Sequence, residues 1–290
     1  MLTLRAGSNT VVVAPGDGAS VVGWMAGRTP ILRRAVPAAV VTGNPNVMGW
    51  IPLLPYCNRI ANGCFTWRGR DYRLAANFGD SPHTIHGIGW QRAWSVASVS
   101  ESRAVLTLTH AADDAWPFAF EAEIDYAVSA DVVTVTLSLT NRAPEPAPAG
   151  VGLHPYLPKT NDAALRFGAG GVWINSADVL PLRHTDVPPD WDFAAARAVE
   201  PMRLDNCFTA WDRTADVLAG PASLRLEADA AFGNLQVFTP SWGDFFCIEP
   251  VSHVPNALNR PDLPPDQAMQ SLPSGATLRG TVHLRLMGSR

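Results

Sequence analysis

Residues 132–140 read VVTVTLSLT. Val and Leu alternate in this stretch with Thr and Ser, so one face of an extended chain would be apolar and the other polar. Such alternation predicts an antiparallel strand with one face in a core and the other toward solvent. Short apolar runs recur along the chain and predict further strands at 10–14, 19–25, 64–67, 71–74, 104–110, 118–128, 223–228, 234–238, 245–249 and 277–286.

The residues between these runs predict tight turns. The 25 Pro and 23 Gly are spread along the whole sequence, which shows hardly any helical periodicity. The turn sequences PGDG at 15–18 and RGR at 68–70 each join two predicted strands into a hairpin. We therefore expect an all-β protein, a large antiparallel β-sandwich that forms a single domain over residues 1–290. The segment RAPEPAPA at 142–149 is predicted to be a long surface loop within that domain.

Composition excludes several classes of protein. The chain has 290 residues, 47% of them hydrophobic, which suffices for a large core. A net charge of −4 and the lack of any Lys/Arg-rich run argue against a nucleic-acid partner. No apolar run reaches the roughly 18 residues of a membrane span. The first residues lack the basic and apolar regions of a secretion signal, so we expect a cytoplasmic protein.

The four cysteines are Cys57, Cys64, Cys207 and Cys247. None of them forms a C-x-x-C pair, which disfavours a zinc ribbon or a redox dithiol. Their neighbours are mostly apolar or aromatic, so we expect buried free thiols.

Two polar residues interrupt apolar runs. His154 lies in GVGLHPYL, and Glu249 ends the run DFFCIE just before Pro250. Both are predicted to lie at strand ends. Burial among apolar neighbours would raise the pKa of the Glu249 carboxyl and make it a better base near neutral pH. The alternative is a structural salt bridge, for example with Arg59.

Other candidate residues point to a polar site without a cofactor. His83 and His86 lie in the loop sequence SPHTIHGIGW, but the helix and glutamate of a metalloprotease motif are missing, so we expect no metal site. Trp90, Trp211 and Trp242 lie beside polar residues at predicted loop ends, where aromatic faces suit the C–H surface of a sugar. The sequence has no nucleophile elbow, phosphate loop or dinucleotide fingerprint, which leaves acid–base chemistry.

Five segments taken together resemble the aldose 1-epimerase (galactose mutarotase) family, and they occur in the family's order. They are NRIANG at 58–63, HGIGW at 86–90, GLHPY at 152–156, DNCF at 205–208 and CIEP at 247–250. The likeness extends over nearly the whole chain. It implies a large antiparallel sandwich of the galactose mutarotase-like (supersandwich) type, with the sugar site on its concave face.

The resemblance also implies a reaction. Glu249 matches the general base that removes the proton of the anomeric hydroxyl, and His154 matches the general acid that protonates the ring oxygen. Their joint action opens and recloses the ring of an aldohexose, interconverting its α and β anomers. The protein would then be an isomerase acting on a carbohydrate.

The same resemblance implies a binding set and partners. His86, Asp205 and Arg59 match residues that bind the sugar, and Asn58 would add a hydrogen bond. No cofactor and no metal are needed. The expected partner is a small-molecule sugar, with no nucleic acid and no membrane, and the protein is expected to be a monomer or a homodimer.

Three alternatives stay open. The form GLHPYL at 152–157 looks more like the branch that includes hexose-6-phosphate mutarotases, whose arginines bind the phosphate. The candidate arginines here are Arg59, Arg68, Arg70 and Arg92. A second alternative is a non-catalytic sugar-binding or regulatory module with the same fold. A third is a glycoside hydrolase that uses Glu249 and Asp205, which would leave His154 without a role.

Overall fold

The computed structural model of the protein describes residues 1–33, 35, 48–200 and 202–288. This part of the chain is almost entirely β, as the sequence predicts, with two large antiparallel sheets and three two-stranded ribbons. Helical structure within these residues is confined to single 3-10 turns, none long or apolar enough to cross a membrane. The turns are Ala61–Gly63, Gly89–Gln91, Pro189–Trp191, Gly220–Ala222 and Ala257–Asn259.

The first sheet has eleven strands in the described chain, numbered in chain order. Across the sheet they are β1 (Leu2–Ala6), β2 (Asn9–Ala14), β3 (Ser20–Ala26), β5 (Trp50–Leu53), β15 (Gly152–Pro158), β24 (Phe245–Val251), β23 (Asn234–Phe238), β20 (Asp205–Thr209), β17 (Gly171–Asn175) and β18 (Pro181–Thr185), with β4 (Thr29–Pro30) paired to β3. Strands β15 and β24 therefore lie in the middle of this sheet.

The second sheet has nine strands in the same described part. Across the sheet they are β10 (Ser95–Val99), β11 (Arg103–His110), β12 (Phe120–Val128), β13 (Val132–Asn141), β26 (Thr277–Leu286), β22 (Leu224–Ala228), β21 (Thr214–Leu218), β16 (Ala164–Arg166) and β19 (Arg197–Ala198). The ribbons pair β6 (Arg59–Ile60) with β9 (Thr84–Ile85), β7 (Cys64–Trp67) with β8 (Arg70–Arg73), and β14 (Ala147–Ala149) with β25 (Gln270–Leu272).

The two large sheets share one hydrophobic core. Trp50 of β5 stacks on Tyr126 of β12 with ring centroids 6.0 Å apart. The Tyr126 hydroxyl donates a hydrogen bond of 2.6 Å to the carbonyl of Ala19, so its polar end is satisfied inside the core. In β13 the predicted alternation buries Val135 and Leu137 against the same core. The antiparallel sandwich predicted from the sequence is confirmed.

Every predicted strand is present, with ends that differ from the prediction by at most two residues. The predicted ranges 234–238 and 277–286 coincide with β23 and β26, and both predicted hairpins form, as β2–β3 and β7–β8. The cysteines are free thiols, of which Cys64 is only partly buried.

The prediction of a surface loop at 142–149 is wrong at its end. Its last three residues form the buried strand β14, whose small residues and proline hide any alternation.

The prediction that His154 and Glu249 end their strands is also wrong, because both lie inside β15 and β24. Each is followed by a proline, which lacks the N–H of a strand ladder and so suggested a strand end. The ladder between the two strands pairs Gly152 with Val251 and resumes where Tyr156 pairs with Cys247. Both prolines fall in the interval between these pairs, so the strands continue past them.

Leu137→Ala is expected to destabilise the fold by about 2–5 kcal/mol, because it removes buried methyl groups and leaves a cavity between the sheets. Chemical denaturation measures this loss. Ser138→Ala, one residue further along β13 on its outer face, is the control and should change the free energy of unfolding by less than about 0.5 kcal/mol. Equal losses for the two variants would contradict the position of β13 against the core.

Candidate active site

Strands β15 and β24 are buried on both faces. One face carries Leu153 and Ile248 into the core between the sheets. Because side chains alternate along a strand, the neighbouring residues His154 and Glu249 face the other way. That outer face of the first sheet lines a pocket.

His154 and Glu249 are cross-strand neighbours. The antiparallel register pairs Gly152 with Val251. Two residues along each strand from that pair, it places His154 opposite Glu249. His154 Nε2 lies 3.3 Å from Glu249 Oε1, and the side chains are 8% and 2% exposed. Two residues far apart in the sequence thus form one buried pair.

Burial keeps this pair from carrying charge easily. It lowers the pKa of His154 from 6.5 to about 3. Burial, reinforced by the negative charge of Asp205, raises the pKa of Glu249 well above 4.5, and Arg59 opposes that rise. The two shifts favour imidazole beside carboxylic acid, an uncharged pair that holds one titratable proton.

The pair lies in a cavity of about 310 Å³, near the lower end of the range for small-molecule sites. Six polar side chains line it: Asn58, Arg59, His86, His154, Asp205 and Glu249. The remaining wall is aromatic or aliphatic and consists of Ile51, Phe78, Ile85, Trp90, Tyr156, Phe238, Trp242 and Phe245. All six site residues predicted from the sequence therefore meet in one pocket.

His86 is held by backbone groups in one tautomer. Its backbone N–H donates to the carbonyl of Asn58, and the N–H of Asn58 donates to His86 Nδ1 at 3.2 Å. Because Nδ1 accepts, the proton of the neutral ring is on Nε2. Burial lowers the pKa of His86 well below 6.5, so the ring stays neutral and offers an N–H donor. Gly87 allows this turn, since a Cβ there would lie 2.1 Å from the carbonyl oxygen of Leu54.

Arg59 and Asp205 form the charged part of the pocket. Arg59 Nη2 lies 3.3 Å from Asp205 Oδ2, and Arg59 Nη1 donates to the side-chain oxygen of Asn58. Gln236 Nε2 donates to Asp205 Oδ1 at 2.6 Å, so each oxygen of the Asp205 carboxylate has a hydrogen-bond donor that fixes its orientation. Glu249 pairs with His154, and Arg59 pairs with Asp205. The alternative salt bridge between Glu249 and Arg59 is therefore not the one that forms.

His253 supports the loop that carries Asn58 and Arg59. Its Nε2 accepts a hydrogen bond of 3.0 Å from the N–H of Cys57. Its Nδ1 contacts the carbonyl of Val254 at 2.8 Å, which makes Nδ1 the protonated nitrogen. Burial lowers the pKa of His253 to about 4, so this support is neutral at ordinary pH.

One atom each of His86, His154 and Glu249 lies within 4.8 Å of the others, a spacing that a metal ion could bridge. A metal-bound imidazole normally donates its other N–H to an acceptor. His86 Nδ1 instead accepts from Asn58, so the ring presents a donor where a metal would need a lone pair. This polarity suits an oxygen atom of a ligand better than a cation.

The sequence did not identify the aromatic pocket wall formed by Tyr156, Phe238 and Phe245. It also did not identify Gln236, which does not line the pocket but donates to Asp205. The period-two spacing of Tyr156 from His154 was the available signal, because it puts both on one face. Of the three tryptophans considered, Trp90 and Trp242 line the pocket, whereas Trp211 is buried in the core.

The fold and the site together define a class: large antiparallel β-proteins with a buried His–carboxylate pair in a small pocket. The sequence profile described as aldose 1-epimerase matches residues 1–285. The chain therefore belongs to the aldose 1-epimerase family.

Related proteins agree with this assignment. The uncharacterized protein YphB of Escherichia coli K12 is 29% identical over 275 residues, which cover 90% of each chain. A crystal structure from the same organism, provisionally described as an aldose 1-epimerase, has a TM-score of 0.89 and 27% identity over 99% of this chain and 98% of its own. A galactose mutarotase-like protein of Clostridium acetobutylicum shares the fold, with a TM-score of 0.87 and 19% identity over 99% and 94% of the chains.

Glu249→Gln is expected to stabilise the protein, and more so as pH rises. The folded-state pKa of Glu249 lies above its ordinary value of 4.5, so the folded protein holds this proton more tightly than the unfolded chain. Wild-type stability is then complete below about pH 4.5 and falls, by up to about 1.4 kcal/mol per pH unit, as pH rises through the folded-state pKa. The amide does not titrate, so calorimetry near pH 5 and near pH 8 should show a widening advantage for the variant.

Glu227→Gln is the matched control, since the Glu227 side chain in β22 is 38% exposed. Because this side chain contacts water in the folded protein as well as in the unfolded chain, the substitution should change the free energy of unfolding by less than about 1 kcal/mol. A Glu249→Gln advantage that is constant or shrinks with pH would contradict the burial of an ionisable carboxyl group.

Proposed function

We propose that this protein is a mutarotase that interconverts the α and β anomers of an aldohexose by acid–base catalysed ring opening and closure. The single observation that carries the proposal is the buried contact between His154 and Glu249 in a pocket of sugar-binding size. Membership of the aldose 1-epimerase family supports it. The substrate is a small sugar, bound without a cofactor.

Ring opening needs one proton removed and one delivered. Glu249, as carboxylate, takes the proton of the anomeric hydroxyl, and His154, as imidazolium, gives a proton to the ring oxygen as the C1–O5 bond breaks. The aldehyde carbon turns about the C1–C2 bond. The reverse transfers then close the ring on the other face, so both residues return to their starting states.

The state required for this step is accessible from the resting pair. Imidazolium beside carboxylate has the same number of protons as imidazole beside carboxylic acid, and the two forms differ only by a proton transfer across the 3.3 Å contact. The positive charge of Arg59 favours ionised Glu249. A bound sugar would add hydrogen bonds, since Glu249 Oε2 has no partner among the described residues.

The other polar groups have roles that fit this reaction. The Nε2–H of neutral His86 is a donor for a sugar oxygen, and it does not compete with the pair for protons. Arg59 and Asp205 offer a donor and an acceptor for hydroxyl groups, which a pyranose presents in adjacent pairs. Asn58 helps to orient Arg59.

The hexose-6-phosphate alternative has less support. Of the four arginines considered for it, only Arg59 lines the pocket, and the Asp205 carboxylate already neutralises it. Arg70 and Arg92 pair with acidic residues elsewhere on the surface, and Arg68 is exposed in a hairpin turn.

Glu249→Gln and His154→Asn should each lower kcat for mutarotation by about a hundredfold or more, because each removes one of the two proton transfers. KM should change by a few fold at most, since the hydroxyl-binding groups remain. Polarimetry or NMR on α-glucose and α-galactose measures the approach to anomeric equilibrium. Wild-type protein that binds these sugars without accelerating the approach would favour the non-catalytic binding module instead.

The chain contains a matched control pair. Glu227 of β22 lies opposite His283 of β26, so it is also a cross-strand Glu–His pair, but it lies on the outer face of the second sheet. Glu227→Gln and His283→Asn should leave kcat within about twofold of wild type. A loss comparable to that of the Glu249 and His154 variants would mean that the substitutions act through stability alone.

The pH dependence of kcat/KM should be a broad bell. Protonation of the one-proton pair ends activity on the acid side at an apparent pKa below 6.5, because burial lowers the pKa of His154. Loss of the shared proton ends it on the alkaline side at an apparent pKa above 4.5, because burial raises the pKa of Glu249. Both values belong to the pair. A single acid limb at the ordinary histidine value of 6.5 would contradict the assignment.

A further inference from the structure

The backbone of His86 adopts a left-handed conformation that is uncommon for residues other than glycine. The φ angle is 61° at His86 and 69° at Gly87, so two successive residues lie in this region. A residue with a Cβ atom is destabilised in this conformation, which persists only where the surrounding structure holds it. The conformation matters because it carries the His86 ring to within 5.0 Å of the His154 ring, measured between centroids.

The side-chain amide of Asn77 contacts the chain on both sides of His86. Its oxygen accepts a hydrogen bond of 2.8 Å from the N–H of Ile85. Its nitrogen donates to the carbonyl of Ile85 at 2.8 Å and to the carbonyl of Gly87 at 3.1 Å. The amide has two N–H groups, so each of its donors has a partner next to His86. Asn77 therefore restrains the residues directly before and after the strained position.

Asn77 is itself fixed within its loop. The side-chain nitrogen of Gln91 donates to the backbone carbonyl of Asn77 at 3.1 Å, and the N–H of Ser81 donates to the carbonyl of Phe78. Phe78 lines the pocket, but Asn77 is not among the described residues that do so. An effect of Asn77 on a bound ligand must therefore act through the residues that it holds.

His86 is the polar pocket residue that these hydrogen bonds control. Its Nδ1 accepts from the N–H of Asn58, so its Nε2–H is directed to the pocket while the two residues stay aligned. That contact measures 3.2 Å, at the long end of the range for such hydrogen bonds, so it is a weak restraint by itself. The hydrogen bonds of Asn77 to the backbone on both sides supply a stronger one.

We propose that Asn77 is a positioning residue, which holds His86 in the left-handed conformation that presents its Nε2–H to the pocket. The inference rests on the proposed mutarotase function and goes beyond it, because it assigns a role to a residue that does not contact the sugar. His86 must meet a sugar oxygen within hydrogen-bond distance. A displacement of about 1 Å at such a contact can lower the rate by about a hundredfold.

A double-mutant cycle tests whether Asn77 acts through His86. Asn77→Ala should lower kcat/KM for glucose or galactose by about tenfold or more, because the ring is no longer held in place. His86→Asn removes the ring, while asparagine tolerates the left-handed backbone. In the His86→Asn background, Asn77→Ala should change kcat/KM by less than about twofold. Equal factors in the two backgrounds would overturn the positioning role.

Nuclear magnetic resonance of the histidine rings gives a second readout, which does not depend on activity. Burial lowers the pKa of His86 well below 6.5, so its ring in the wild-type protein should stay neutral between about pH 5.5 and 8. In Asn77→Ala the released ring should titrate near the ordinary pKa of about 6.5. The chain has seven histidines, and the signal of His86 is the one that His86→Asn removes. A ring that stays neutral in Asn77→Ala over the same range would overturn the proposal.

Asn141 provides the matched control, because its buried side chain makes the same pattern of hydrogen bonds away from the pocket. Its oxygen accepts from the N–H of Ala143, and its nitrogen donates to the carbonyls of Glu145 and Leu272. Asn141→Ala should lower the melting temperature, but it should leave kcat/KM within about twofold of wild type and the ring titration unchanged. A loss of kcat/KM equal to that of Asn77→Ala would assign both effects to stability and overturn the proposal.

Asn77→Asp covers the case in which Asn77→Ala does not fold. The carboxylate has nearly the volume of the amide and can accept from Ile85, but it cannot donate to the two carbonyl oxygens. It should therefore show the same loss of kcat/KM and the same ring titration, and wild-type values of both would overturn the proposal. If the wild-type protein turns over no sugar, the proposed function fails, and the ring titration alone decides whether Asn77 positions His86.

Discussion

The antiparallel register between β15 and β24 is the constraint on which the rest of the site depends. It brings His154 and Glu249 together on the outer face of the first sheet, while Leu153 and Ile248 on the other face hold both strands to the core. A slip of one residue would exchange the two faces and turn the polar pair into the core. The many buried apolar contacts of these strands thus fix the geometry of two polar side chains.

This arrangement sets stability against function. A carboxyl group and an imidazole buried side by side resist ionisation, and the pKa directions of Glu249 and His154 both express that resistance. A fold selected for stability alone would place apolar side chains at these positions. The large two-sheet core offsets this loss of stability. The pair can therefore stay buried in the pocket, where a small ligand would exclude water and contact the pair in a medium of low polarity.

Backbone hydrogen bonds decide the chemical character of the histidines around the pair. The N–H of Asn58 makes His86 a donor toward the pocket, and the N–H of Cys57 makes His253 an acceptor behind it. Both rings are buried and neutral, so neither competes with His154 for a titratable proton near neutral pH. One short loop, at Cys57 and Asn58, therefore sets the proton arrangement of two imidazoles.

The sequence by itself determined the class of fold and most of the polar site. The alternation in 132–140 predicts β13 to within one residue, because the face to which a side chain points depends only on its position along its own strand. His154 and Glu249 were conspicuous for the same local reason, as polar residues in apolar runs, although their pairing and roles came from family resemblance. Three features emerged only from the tertiary structure: the continuation of both strands past Pro155 and Pro250, the hydrogen bond of Gln236 to Asp205, and the aromatic pocket wall of Tyr156, Phe238 and Phe245. Each of these depends on which residue lies opposite which across neighbouring strands. That register is set by packing between segments far apart in the chain, and no local pattern encodes it.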